Sequence, residues 1–154
     1  EVQGTDYVIA FHFGRFKVND SKFNSLIFVN TKTGEKNQVD FPEDTKIGMP
    51  EQIKIDSLDI NLIFVRVNSS EQNTNNKSYS FNPSKIIILS TDGKTKTQLT
   101  NNDFFVKHLT YNKNTGAMVV SGYYDNNKNN KFDEEDKSDI ILYDLKTFKV
   151  INKN

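Results

Sequence analysis

The chain has 154 residues, with 20 Lys and Arg against 20 Asp and Glu and a formal net charge of zero, so it can bury a core of its own but has no basic excess to meet a phosphate backbone, which argues against nucleic acid as a partner. Without Cys there is no disulfide framework, thiol nucleophile or thiolate zinc site. The longest apolar runs, such as residues 86–89 and 140–143, are strand-length, no run exceeding five residues, far short of the ~20 residues of a membrane span, and no membrane crossing is expected.

Apolar runs rich in Ile, Val, Phe and Tyr, bounded by Gly, Asn, Asp or Pro, predict strands in chain order at residues 7–13, 26–30, 37–41, 52–56, 62–67, 85–90, 95–99, 105–111, 117–124, 140–144 and 149–151. No segment carries a convincing helical period, so the predicted class is all-β. Asn clusters at residues 73–76 and 126–130 fall between the runs, where its tolerance of left-handed backbone and its bonds to its own main chain suit loops.

Three of these strands read as versions of one strand and turn. They are Leu26-Ile27-Phe28-Val29-Asn30-Thr31-Lys32-Thr33-Gly34, Ile86-Ile87-Ile88-Leu89-Ser90-Thr91-Asp92-Gly93 and Ile140-Ile141-Leu142-Tyr143-Asp144-Leu145-Lys146-Thr147-Phe148. Alignment on Asn30, Ser90 and Asp144 gives spacings of 60 and 54 residues. Each copy follows a long polar insertion and, before that, another apolar strand. In the second and third copies a further strand comes first, joined by tight turns at residues 59–61 and 112–116. The expected organisation is one domain, residues 1–154, of three tandem four-stranded antiparallel meanders at about 6–42, 50–100 and 103–152. The first copy lacks its leading strand. The competing account is chance likeness among hairpins with Lys-Thr-Gly and Thr-Asp-Gly turns.

The strand and turn in residues 84–99 and 138–151 resemble the blade repeat of TolB-like β-propellers, in which a strand ending in Asn or Asp leads through a Gly turn to a short outer strand. That resemblance implies four-stranded blades set radially, here a partial propeller of three blades. It also implies a protein of the periplasm, cell surface or exterior. Propellers close with roughly four to eight blades, so three copies imply a fragment, a ring completed by two chains, or another packing of the sheets.

The segment from Asp125 to Asp136 has the twelve-residue spacing of a calcium loop. Oxygen-bearing side chains fall at the first, third, fifth, ninth and twelfth positions, Asp125, Asn127, Asn129, Asp133 and Asp136, and the seventh, Lys131, offers its backbone carbonyl. Ca²⁺ is a hard cation that takes six to eight oxygens from a curled backbone, which alternate positions supply. Phe132 is the apolar residue expected to anchor the loop to the core. Asn130 stands where Gly is usual, and Asp136 stands where Glu is usual, as in dockerin-like loops. The flanking segments read as strands and not as the helices of an EF-hand. The competing account is a solvated Asn, Asp and Lys loop.

Catalytic constellations are scarce. His12 and His108 each lie within a strand pattern, without metal or nucleophile spacing, and are expected to be structural. No Gly-x-Ser-x-Gly elbow, phosphate-cradling loop or zinc-protease helix is present in the sequence. In an up-and-down meander the three insertions share one end. That end would gather Phe16, Phe23, Tyr79 and Phe81 beside the calcium loop, either as a recognition surface or as pins for their own loops. The expected function is non-enzymatic, a calcium-stabilised binding or scaffold protein for a protein or glycan ligand. The rival is a hydrolase acting on glycans or peptides at the same end. Bare faces at either end of three stacked repeats predict a homodimer.

Overall fold

The computed structural model describes the chain apart from residues 14–23, 43–44, 70–83, 130–131 and 154. It is all-β. Three antiparallel sheets follow one another along the chain. The first contains β1 (Tyr7–Phe13), β2 (Asn24–Asn30) and β3 (Lys36–Phe41) in that order. The second contains β4 (Thr45–Ile47), β5 (Glu51–Ile55), β6 (Ile60–Ser69), β7 (Ser84–Leu89) and β8 (Lys96–Gln98). Its spatial order is β4-β6-β7-β8, and β5 lies along the first half of β6. The third contains β9 (Phe104–Asn112), β10 (Ala117–Tyr124), β11 (Lys137–Asp144) and β12 (Val150–Lys153), each beside its chain neighbour. Among the described residues these sheets close into neither a barrel nor a ring.

The sheets pack face to face, and alternation along the strands shows how. In the middle sheet Ile60, Leu62, Phe64, Ile86 and Ile88 share a core with Phe104, Val106, Met118, Val120, Ile141 and Tyr143 of the third sheet. The intervening residues Ile63, Val65, Val67, Ile87 and Leu89 turn the other way, onto Leu26, Phe28, Val39 and Phe41 of the first sheet. Both faces of β6 and β7 are therefore buried, which is why their sequences are continuous apolar runs. A one-residue slip of either strand would exchange the two cores.

The turns after β2, β7 and β11 share the backbone bond that closes them. The amide N–H of Asn30 donates to Glu35 O at 2.8 Å, that of Ser90 to Thr95 O at 3.2 Å, and that of Asp144 to Lys149 O at 2.9 Å. Asn30 Oδ1 accepts the N–H groups of Lys32 and Thr33 at 3.0 and 3.1 Å, and Asp144 Oδ1 those of Lys146 and Thr147 at 2.7 and 2.9 Å. These backbone bonds hold the Asp144 carboxyl below its usual range. In the middle turn Asp92 takes the acceptor role, receiving Lys94 N–H at 3.0 Å and the Ser90 hydroxyl at 2.6 Å. The fifth residue of the first turn is Gly34, at φ 76°, and that of the third is Phe148, at φ 57°. A bulky residue thus sits in the left-handed region, which normally favours Gly.

Two local expectations need correction. The turn expected at 59–61 comes earlier, as the 3₁₀ turn Asp56–Leu58 closed by Asp59 at φ 53°, and this lets β6 begin at Ile60. The short β4 has no counterpart among the predicted strands. It pairs with the far half of β6, Thr45 opposite Ser69 and Ile47 opposite Val67, because β6 is ten residues long and β5 covers only its first half.

Candidate functional site

The segment after β10 starts on Asp125, whose side chain is a buried acid, the residue being only 5% exposed. Its N–H donates to Asp103 O at 2.9 Å, which ties the loop to the start of β9. Its Oδ1 accepts the Asn129 N–H at 3.0 Å, and Asn127 Oδ1 accepts the same group at 3.1 Å. These bonds curl residues 125–129 tightly, with Lys128 at φ 57°. The far half closes onto the near half. Asn127 Nδ2 donates to Asp133 Oδ2 at 3.0 Å and to Glu135 Oε2 at 3.2 Å, and Asn129 Nδ2 also donates to Asp133 Oδ2. Asp136 Oδ2 accepts Asp133 N–H at 3.0 Å, and its Oδ1 accepts Asn126 N–H at 3.2 Å.

Five of the six candidate ligands, Asp125, Asn127, Asn129, Asp133 and Asp136, are thus joined in one hydrogen-bonded knot, while Lys131 and Asn130 lie outside the described residues. The amides face Asp133 through their nitrogens, so the carboxylates are balanced by N–H donors. Among the described residues no three His, Asp or Glu side chains are grouped so as to hold a metal ion. Glu135 joins the knot although the spacing gave no reason to include it.

The knot is fixed over the outer face of the third sheet. A bulge opposes Val106 to Gly122 and His108 to Ser121, leaving Lys107 as the extra residue of β9. Gly122 permits it, since a Cβ there would lie 2.1 Å from Phe105 O. The bulge keeps Phe104 and Val106 in the inner core while Phe105 turns outward onto Tyr123, ring centroids 5.5 Å apart and nearly perpendicular. Phe132 folds back over Tyr123 at 4.6 Å, and Lys107 Nζ lies 3.6 Å from the Phe132 centroid. Phe132 does anchor the loop, but to this outer aromatic cluster, and it stays 44% exposed.

Tyr123 is only 1% exposed, and its hydroxyl has no hydrogen-bond partner among the described residues. Burial first, then the charges of Asp136 and Asp125, push its pKa up to about 12. The two carboxylates at the ends of the loop therefore act on a buried, unsatisfied phenol. No sequence signal pointed to Tyr123 or Lys107, because their meeting with Phe132 depends on the bulge.

Phe16, Phe23, Tyr79 and Phe81 all lie outside the described residues, but the strands that carry those insertions are placed. Phe41 and Thr45 are separated by residues 42–44 alone, and the Ser84 hydroxyl donates to Val106 O at 2.6 Å. The openings after β1, β6 and β10 therefore leave the stack at one end. His12 lies on β1, and His108 is exposed on the outer side of β9. At the opposite end a cleft of about 260 Å³ separates the middle and third sheets, with Asp59, Thr95, Thr97 and Lys146 around a floor of Ile60, Leu62 and Leu89. Its walls come from three separate turns, a grouping that no local motif announces. Comparison with protein-family models, with curated proteins and with solved structures returned no match.

Proposed function

We propose that the chain is a non-enzymatic, propeller-like binding or scaffold protein, exported from the cell, whose insertion-bearing end is braced by calcium held in residues 125–136. The observation that carries the calcium reading is the buried carboxylate of Asp125, at the head of a knot whose other donors are all hard oxygens or amides. The donor set fits the ion. Asp125, Asp133 and Asp136 would have to draw together to supply carboxylate oxygens, Lys131 would add a backbone carbonyl, and Asn127 and Asn129 would add carbonyl oxygens once their amides turn over, a near-isosteric change. The Tyr123 hydroxyl supports the same reading, since a hydrated cation in the loop would give that buried donor a partner. Three carboxylates and two amides suggest an affinity on the order of 10⁻⁵ to 10⁻³ M, suited to calcium outside the cell. The ion would stiffen the hairpin between β10 and β11, and through it the end where the three insertions emerge. A protein or glycan is the class of ligand proposed for that end. The propeller-like part rests on the face-to-face stacking of successive sheets and on the closing backbone bond that their turns share.

Calorimetric titration of metal-stripped protein tests the calcium reading. A single site is expected in that affinity range for the parent and none for Asp125→Ala. Equal heats from both proteins, or no heat from either at millimolar calcium, would contradict it.

A further inference from the structure

The two cores give the stack a direction. Counting back from Asn30, Ser90 and Asp144, the residues four and two positions earlier are Leu26 and Phe28, Ile86 and Ile88, and Ile140 and Leu142. Leu26 and Phe28 face the middle sheet, and Ile86 and Ile88 face the third. Each sheet thus turns the same set of positions toward its successor. The residues three and one positions earlier look back: Ile87 and Leu89 onto the first sheet, Ile141 and Tyr143 onto the middle one.

Two faces of this series have no neighbouring sheet within the described residues, although the aromatic cluster beneath residues 125–136 covers the Tyr123 end of one of them. The forward face of the third sheet carries Ile140 and Leu142, with Val119 opposite Leu142, and Ile140 is 60% exposed. The backward face of the first sheet carries Ile27 and Val29, with Ala10 and Val8 opposite them. Each is a small apolar centre with a polar border. Lys36 and Gln38 flank Val29 and Ile27, and Ser121 sits between His108 and Ile140. A head-to-tail series is completed by setting a forward face on a backward one, as the chain already does twice.

We infer that the occupant of both faces is a second copy of this chain, the third sheet of each copy seated on the first sheet of the other, so that two chains form a six-sheet ring with a two-fold axis. The argument for a second copy is continuity with the two internal interfaces, which pair the same positions of successive sheets. Six sheets lie within the range at which such rings close, and each contact repeats under the symmetry. The joint interface should bury at least ~1,000 Å² in total. This inference rests on the propeller-like part of the reading above and is independent of calcium.

Light scattering after gel filtration, with charged residues placed on one face at a time, tests it. The parent should run at about twice the 17.7 kDa chain mass. Ile140→Glu and Ile27→Lys should each run as monomers. Their equimolar mixture should return to the doubled mass, because the mixed pair keeps one unaltered contact and sets Glu against Lys at the other. Ala10→Lys, at an exposed neighbour of Ile27, repeats the test without altering a half-buried side chain. Circular dichroism confirms that each variant is folded. A parent that stays monomeric at tens of micromolar overturns the ring. So do variants that remain dimeric, or a mixture that stays monomeric. Calcium titration of the monomeric Ile140→Glu variant keeps the two questions apart, since that loop should bind whether or not the chains pair.

Discussion

Strands β6 and β7 bury side chains on both faces, whereas the described residues of the 125–136 loop bury little beyond Asp125 and are closed by bonds among largely exposed polar side chains. The two regions draw on different physics. Burial in the middle sheet is insensitive to ions. In the loop, each hydrogen bond replaces one to water, and the net gain is modest. The loop therefore has little stability of its own, and binding a cation can change it more than it can change the sheet.

Ile86→Ala is expected to show the largest effect, because Ile86 is fully buried between the middle and third sheets. Deleting its methyl groups from a packed core should cost about 2–5 kcal/mol, read as a lower urea midpoint and unchanged by calcium. Asn127→Ala is the matching change in the loop and should stay within about 0.5 kcal/mol in metal-free buffer. If Asn127→Ala proved as damaging as Ile86→Ala, the contrast between the regions would fail.

Gly122→Ala comes next. The added Cβ meets the Phe105 carbonyl, a backbone atom that cannot swing aside. The bulge and the aromatic cluster beneath the loop should both be displaced, at a cost of about 1–3 kcal/mol by urea unfolding. Loss of the Phe132 contact should also weaken calcium binding. Unchanged affinity would separate the aromatic anchor from the metal site.

The smallest effect concerns Glu35, which joins the first two turns through Lys94 Nζ at 3.0 Å and the Tyr7 hydroxyl at 3.2 Å. The hydrogen bond from Lys94, then that from Tyr7, hold its carboxyl below the usual 4.5. A depressed folded pKa contributes stability that is present above 4.5 and lost as pH falls from there through the folded value. Glu35→Gln should flatten that acid slope slightly and leave stability near pH 7 almost unchanged. The pair is exposed, so raising the salt concentration should have a similar effect.

Much of the sheet order was legible because apolar runs and turn residues recur at near-constant spacing. The triple Ile86-Ile87-Ile88 signals burial on both faces, and the similar run at 140–143 carries the same signal into a sheet with one open face. Strand β4 left no trace, since Thr45, Lys46 and Ile47 form a strand only where the far half of β6 offers them an edge. Within the loop the spacing picked out Asp125, Asn127, Asn129, Asp133 and Asp136 by periodic oxygens alone. It missed Glu135, which joins through Asn127, and Tyr123, whose side chain reaches the loop from a neighbouring strand. Side chains brought together by a bulge have no sequence period to reveal them.

Thermal unfolding of metal-stripped protein with and without calcium tests the central claim most directly, with Asp125→Ala run beside the parent. Calcium at 100 times its dissociation constant should stabilise the parent by about 2.7 kcal/mol, a rise in Tm of roughly 5–10 °C for a domain of this size. Asp125→Ala should show no rise, and equimolar magnesium should produce little in either protein. A parent whose Tm does not move at 100 times that dissociation constant, up to about 0.1 M calcium, or an Asp125→Ala variant that gains as much as the parent, would contradict the account.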